Sequence, residues 1–183
     1  MDNGFIRISW FPFIFRQSTN TRLLQLTSYQ EIVKASGLRS ETSVIRFEKI
    51  SIDEKGAKKT GFPLHRLVWK VTQQRVVDGV ASVLDIDYLD ASLVPQLNRS
   101  IAEYSIYDYI ENQLNLSISH AFKEITIDNA TDQDKILIDL GKDQHVVCVR
   151  SKVYLNNGKQ FQFTESRHKL EKFKFVDYAK RHH

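Results

Sequence analysis

The stretch QQRVVDGVASVLDIDYL, Gln73 to Leu89, carries an arginine where a strand would be expected to hold Val, Ile or Tyr. Two β-branched runs meeting at Asp78-Gly79 read as a hairpin, with Gln73, Gln74 and Arg75 on its first arm. A cation there must reach water, find a carboxylate, or serve something outside the chain. The guanidinium is a planar fork that meets a phosphate or carboxylate at two points. Two hydroxyl-led helix starts, Thr27-Ser28 and Ser105, offer backbone N–H groups and a positive dipole end to the same kind of anion. Gln73, Asp85, Gln162 and His168 are the neutral or singly charged donors and acceptors that sugar hydroxyls need. Each also has an ordinary reading, as a helix cap, an exposed strand arginine or a solvated polar residue.

Signatures of catalysis are missing: the sequence holds no G-x-G-x-x-G, no P-loop, no G-x-S-x-G elbow and no H-E-x-x-H. Its histidines, His65, His120, His145, His168, His182 and His183, are scattered. Ser, His and Asp could still meet in space, but nothing requires an enzyme, a metal or a cofactor.

The elements that would position these residues follow from periodicity and punctuation. LTSYQEIVKASGL reads as a helix, with Ser28 and Glu31 as a capping box and Gly37 as its stop. SVIRFEKISI alternates as a strand, and DEKGAKKTGFP is a polar connection with room for one helical turn. Strands are expected from Leu67 to Val77 and from Val80 to Leu89. Pro95 limits DASLVPQL to a loop or short turn. SIYDYIENQLNL is expected to be a helix capped by Ser105, with Tyr107, Ile110 and Leu114 on one face. ISHAFKEITID returns to strand alternation, and TDQDKILIDLG reads as a helix from a Thr131 cap to a Gly141 stop. A last hairpin runs from His145 to Arg167 through Asn156-Asn157-Gly158. Hairpins outnumber strand-helix-strand crossovers, which points to an α+β domain, a mainly antiparallel sheet flanked by helices.

Register decides whether Asp85 can join Arg75. A two-residue turn pairs Val77 with Val80 and turns Asp85 away, whereas a three-residue loop with a bulge at Gly79 brings both to one face. The apolar residues Trp69, Val71, Leu84, Ile86 and Tyr88 favour the first register, which ranks Asp85 below Arg75.

With 183 residues, 42% apolar and 26% charged, the chain suits one domain with a substantial core. Its net charge of +4 lies in the tail: six Lys or Arg against two acids from Arg167 to His183, the rest balancing. No basic stripe of the kind that tracks DNA is present elsewhere. The single cysteine, Cys148, excludes an internal disulfide and fits a reducing, cytoplasmic setting. FIRISWFPFIF is too short for a bilayer and is interrupted by Arg7 and Pro12, so no membrane partner is expected. It remains an edge strand, a linker or the remnant of a larger chain.

Four pieces in order, LTSYQEIVKASGL, QQRVVDGVASVLDIDYL, SIYDYIENQLNLSIS with KEITID, and GKQFQFTESRHKLEKFKF, resemble the UTRA ligand-sensing domain of GntR-family transcription regulators. Within that branch, VLDIDYLD and FTESRHKLEKFKFVDYAKR are most similar to the trehalose-operon repressors. The resemblance implies a chorismate-lyase-like fold over residues 24–183, with residues 1–23 a linker or remnant. It also implies that the winged helix-turn-helix half, through which such a homodimer would meet operator DNA, is not in this chain. The implied effector is trehalose 6-phosphate. Its phosphate would be cradled by Thr27, Ser28, Arg75, Ser105 and Tyr107, and its sugar would face Asp85, Gln162 and His168. Gln73 stands where many members carry the first of two arginines, which shifts the phosphate's support toward helix starts and hydroxyls. Gln162 stands where many have Glu, which points to a different sugar. The alternatives are a chorismate-lyase-like enzyme acting on a small aromatic acid or ester, a nucleic-acid binder using the basic tail, and a pure oligomerisation module.

Overall fold

The computed structural model describes residues 39–173 and residue 175. The expected helix at Thr27-Ser28 and the aromatic run FIRISWFPFIF lie outside the described residues. Strands β1 (Ser40–Ser51), β2 (Leu67–Val77), β3 (Val80–Asp90), β4 (Ile118–Asn129), β5 (His145–Leu155) and β6 (Gln160–Lys169) form one six-stranded sheet in the order β1-β2-β3-β6-β5-β4. Every neighbouring pair in it is antiparallel.

The helices are short. α1 (Glu54–Thr60) fills the polar connection after β1, held by the Asp53 side chain at its start and by Gly61, at φ 81°, at its end. α2 (Arg99–Tyr104) and α3 (Ile106–Asp108), the latter continuing as a π-helical turn over Tyr109–Gln113, carry the chain from β3 toward β4. α4 (Asp132–Leu137) joins β4 to β5. Among the described residues no helix is long and apolar enough to cross a membrane.

Two helix expectations change. α2 was not anticipated, although Asn98 caps it through Ile101 N–H. α4 begins with the expected Thr131 capping box but ends at Leu137 rather than running to Gly141. Beyond it Ile138 and Leu140 are buried with Leu84 and Val146, while Asp139 N–H donates to the Ala81 carbonyl. Residues 138–140 thus bury alternate side chains, Ile138 and Leu140, in extended backbone, a period a helix cannot serve.

The β2–β3 hairpin sets the register of everything that follows. Asp78 and Gly79 both take positive φ, 49° and 79°, the requirement of the tight turn that Asp-Gly favours. Val77 pairs with Val80, as the two-residue turn predicts. The pairing then slips: Val76 faces Ala81 but Arg75 faces Val83, which leaves Ser82 as an extra residue on β3. Past this bulge Gln73 faces Asp85, so Arg75 and Asp85 share a sheet face after all. The expectation that Asp85 turns away is therefore corrected: the turn is right and the bulge two residues on from Val80 reverses its consequence.

One face of the sheet carries Val44, Val71, Leu89 and Val153, packed against Ala102, Ile106, Tyr109 and Ile110 of the α2–α3 segment. The other face packs against α1, through Ile52, Phe62, Val68 and Phe163, and against the residues after α4. Each fully buried Leu, Ile or Phe contributes about 1.5–3 kcal/mol, enough to hold a polar strip on the same sheet.

Candidate functional site

That polar strip runs along the face covered by α2 and α3. Arg75 is buried, its Nε donating to Asp85 Oδ2 at 2.5 Å and its Nη1 to Thr42 Oγ1 at 3.0 Å. The cation has thus found a carboxylate, and the pair is held by adjacent strands of the hairpin. Asp85 Oδ1 accepts from the Ser166 hydroxyl, and Ser166 Oγ lies 3.0 Å from His168 Nε2. Because the Ser166 hydrogen goes to Asp85, His168 presents Nε2–H to the serine. Burial and the neighbouring Arg75 hold its pKa down to about 4, against the pull of Asp85.

One row further along, Gln162 Nε2 and Thr164 Oγ1 both donate to Asp87 Oδ1, at 2.8 and 2.5 Å. Burial, and then the charge of Asp85, push the Asp87 carboxyl up to about 6, although these hydrogen bonds and Arg75 oppose the shift. Gln162 Oε1 and Ser151 Oγ, also buried, have no hydrogen-bond partner among the described residues. Ser151 pairs with Thr164 on one side and Lys123 on the other, and burial lowers the Lys123 ammonium to about 8. Asp87, Ser166, Thr164, Ser151, Lys123 and Thr42 were not anticipated. Serine and threonine on a strand carry no signal of their own, but the two-residue spacing of Asp85 with Asp87, and of Gln162, Thr164, Ser166 and His168, could have revealed one polar face.

Gln73 is fully buried and donates from Nε2 to the Ala102 carbonyl at 2.8 Å, tying α2 to the strip. Ser105 follows α2 directly and caps α3 through Asp108 N–H at 3.2 Å. Tyr107 packs edge-on to Phe161, ring centroids 6.3 Å apart, beside the core under the helices. The structure therefore brings Gln73, Arg75, Asp85, Gln162 and His168 onto one face and sets Ser105 and Tyr107 in the segment that covers it. Thr27 and Ser28 lie outside the described residues.

The opposite face holds a separate ionic cluster. Arg167 is bonded to Asp134 at 2.8 and 2.9 Å, and Arg150 to Glu165 and Asp128, with Lys59 3.0 Å from Glu165. Its cations and carboxylates satisfy one another and clamp α1 and α4 to the sheet. A surface hollow of about 540 Å³ between Lys49, His65, Arg66 and Ala91 includes none of the strip's residues.

The chain matches the UTRA domain family over residues 35–174. It belongs to that family. It is 42% identical over 156 residues to the HTH-type transcriptional regulator TreR of Bacillus subtilis, covering 85% of this chain and 66% of that protein. To the HTH-type transcriptional repressor NagR of the same organism it is 26% identical over 169 residues, 92% of this chain and 70% of NagR. The chain thus spans about two thirds of the length of these curated relatives. The solved effector binding domain of the B. subtilis trehalose repressor superposes with a TM-score of 0.71 at 43% identity, over 78% of this chain and 99% of that one. The effector domain of PhnF from Mycobacterium smegmatis, at 18% identity and a TM-score of 0.73 over 86% and 98% of the two chains, shares the fold. This UTRA chain is a transcriptional regulator's effector domain related to TreR, with the chorismate-lyase-like α+β fold the sequence implied, and is not an enzyme.

Proposed function

We propose that this UTRA domain is the effector-sensing part of a trehalose-operon repressor and that its ligand is a phosphorylated disaccharide, trehalose 6-phosphate. The observation that carries the proposal is a buried guanidinium, Arg75, fixed by Asp85 and Thr42 on the same sheet face as a strip of sugar-compatible donors and acceptors. The 43% identity to the effector binding domain of the B. subtilis trehalose repressor supports the choice of sugar.

Asp85 and Arg75 nearly cancel in charge, so the guanidinium orients the phosphate while much of its charge is met elsewhere. The backbone N–H groups and hydroxyls at Ser105 and at Thr27-Ser28, with the Tyr107 hydroxyl, are assigned that role. Asp85, Gln162 and His168 are assigned to the sugar hydroxyls, and Gln73 to holding α2 in place.

In the intact regulator, a cytoplasmic homodimer, ligand binding would change how two copies pair, so that their DNA-reading domains no longer fit the operator half-sites and repression is relieved. The ligand can drive this only by the difference in its affinity for the two pairings.

A thermal-shift panel tests the reading. Trehalose 6-phosphate is expected to raise the melting temperature more than trehalose, glucose 6-phosphate or inorganic phosphate at equal concentration. A panel in which no sugar phosphate outperforms inorganic phosphate would count against it.

A further inference from the structure

Two buried polar atoms on the effector face stand apart from its hydrogen-bond network. Among the described residues Ser151 Oγ and Gln162 Oε1 have no hydrogen-bond partner, and their residues are only 4% and 5% exposed. A buried polar group left unpaired costs about 1–3 kcal/mol, so two on one face mark a place suited to partners from beyond the described residues, a bound ligand among them.

They are close together. Ser151 pairs across the strands with Thr164, and Val153 with Gln162. Ser151 and Gln162 are therefore diagonal neighbours on one face, about 7–8 Å apart at the backbone and within reach of a single ring. Asp87, paired with Thr164 and bonded to Gln162 Nε2, lies in the same patch, and Lys123 closes it from the edge strand.

The chemistry of the patch differs from that at Arg75. Gln162 Oε1 and Asp87 accept, Ser151 both donates and accepts, and Lys123 donates. Vicinal hydroxyls, each both donor and acceptor, match such a set. A phosphate does not, because the patch's only cation among the described residues is Lys123 at its edge and Asp87 at its centre would repel it.

From this pattern we infer that Ser151, Gln162 and Asp87 form a second sugar subsite, which holds the ring of the effector distal to its phosphate and so distinguishes a disaccharide phosphate from a monosaccharide phosphate. The inference rests on the proposed phosphate position at Arg75. Ser151 on β5 stands three strands from Arg75 on β2, about 14 Å across the sheet at the usual strand spacing. One pyranose ring with its phosphate spans less than that, and two linked rings cover it.

The test is calorimetric titration of the full chain with trehalose 6-phosphate and with glucose 6-phosphate, which lacks the second ring, in wild type, Ser151→Ala and Asp87→Asn. Melting curves confirm that each variant is folded. Ser151→Ala removes one neutral hydrogen bond and is expected to weaken the disaccharide phosphate roughly three- to tenfold. Glucose 6-phosphate affinity should stay within about twofold. Asp87→Asn, which keeps an oxygen for Gln162 and Thr164, should shift the ratio of the two affinities in the same direction. Equal losses for both ligands, or no loss for the disaccharide, would overturn the subsite and leave the effector reading standing. A wild type that binds neither ligand would overturn both.

Discussion

Replacing Asp87 by Asn should make the domain more stable than wild type at neutral pH, an advantage that disappears in acid. In the folded chain the Asp87 carboxyl titrates near 6 rather than 3.8, chiefly because it is buried and secondarily because Asp85 stands beside it. Between those two values the folded state holds a proton that the unfolded chain has released. Stability is therefore gained as the pH falls through the window, and the penalty is fully present above pH 6. At about 1.4 kcal/mol per pH unit the penalty is on the order of 3 kcal/mol. Asn carries no such penalty, and both bonds made by Asp87 fall on one oxygen, Oδ1, which an amide supplies equally well. His168 works the other way: its pKa falls from 6.5 to about 4, so its contribution is present above 6.5 and lost as the pH falls toward 4. In wild type the two slopes oppose each other across an overlapping window, with Arg75 and Asp85 facing both groups; in the variant the histidine's slope stands alone. Urea unfolding at a series of pH values measures this directly. The variant's advantage should be about 3 kcal/mol near pH 7.5 and close to nothing near pH 4. An advantage that does not change with pH, or a variant less stable than wild type at neutral pH, would refute the assignment of a buried, elevated carboxyl.

Two further outcomes follow from the same geometry. Arg75→Ala should weaken trehalose 6-phosphate binding by about ten- to a hundredfold in calorimetry, and, by leaving Asp85 buried without its cation, should cost about 3–5 kcal/mol of stability that Asp85→Asn partly restores. Asp134→Ala removes the nearest carboxylate from the buried Arg167 on the opposite face but leaves it Glu165, Asp128 and the Asn129 carbonyl, so it should cost less than the roughly 3–5 kcal/mol of a fully unpaired buried charge in urea unfolding while leaving ligand affinity unchanged.

Much of the architecture was legible because its signals are local. Asp78-Gly79 and Asn156-Asn157-Gly158 announced hairpins, alternation marked the strands, and Thr131 and Ser105 capped helices where expected. Arg75 stood out because charge inside a strand is costly. What stayed hidden depends on register. The extra residue at Ser82 is one small side chain among small side chains, yet it moves Asp85 from one sheet face to the other. The alternation that set Trp69 and Val71 beside Leu84, Ile86 and Tyr88 was broken by that residue: Trp69 and Val71 face Leu89 and Asp87 instead. Asp87 was passed over for the same reason. Ser151 acquires its place beside Asp87 only because β6 pairs with β3, a strand far away in the chain.

The most direct measurement is a crystal structure of the domain grown with trehalose 6-phosphate. The phosphoryl oxygens are expected within about 3 Å of the Arg75 guanidinium, with the sugar laid along Asp85, Gln162 and His168. A ligand found elsewhere, such as the hollow beside Lys49 and Arg66, or bound with its phosphate turned away from Arg75, would contradict it.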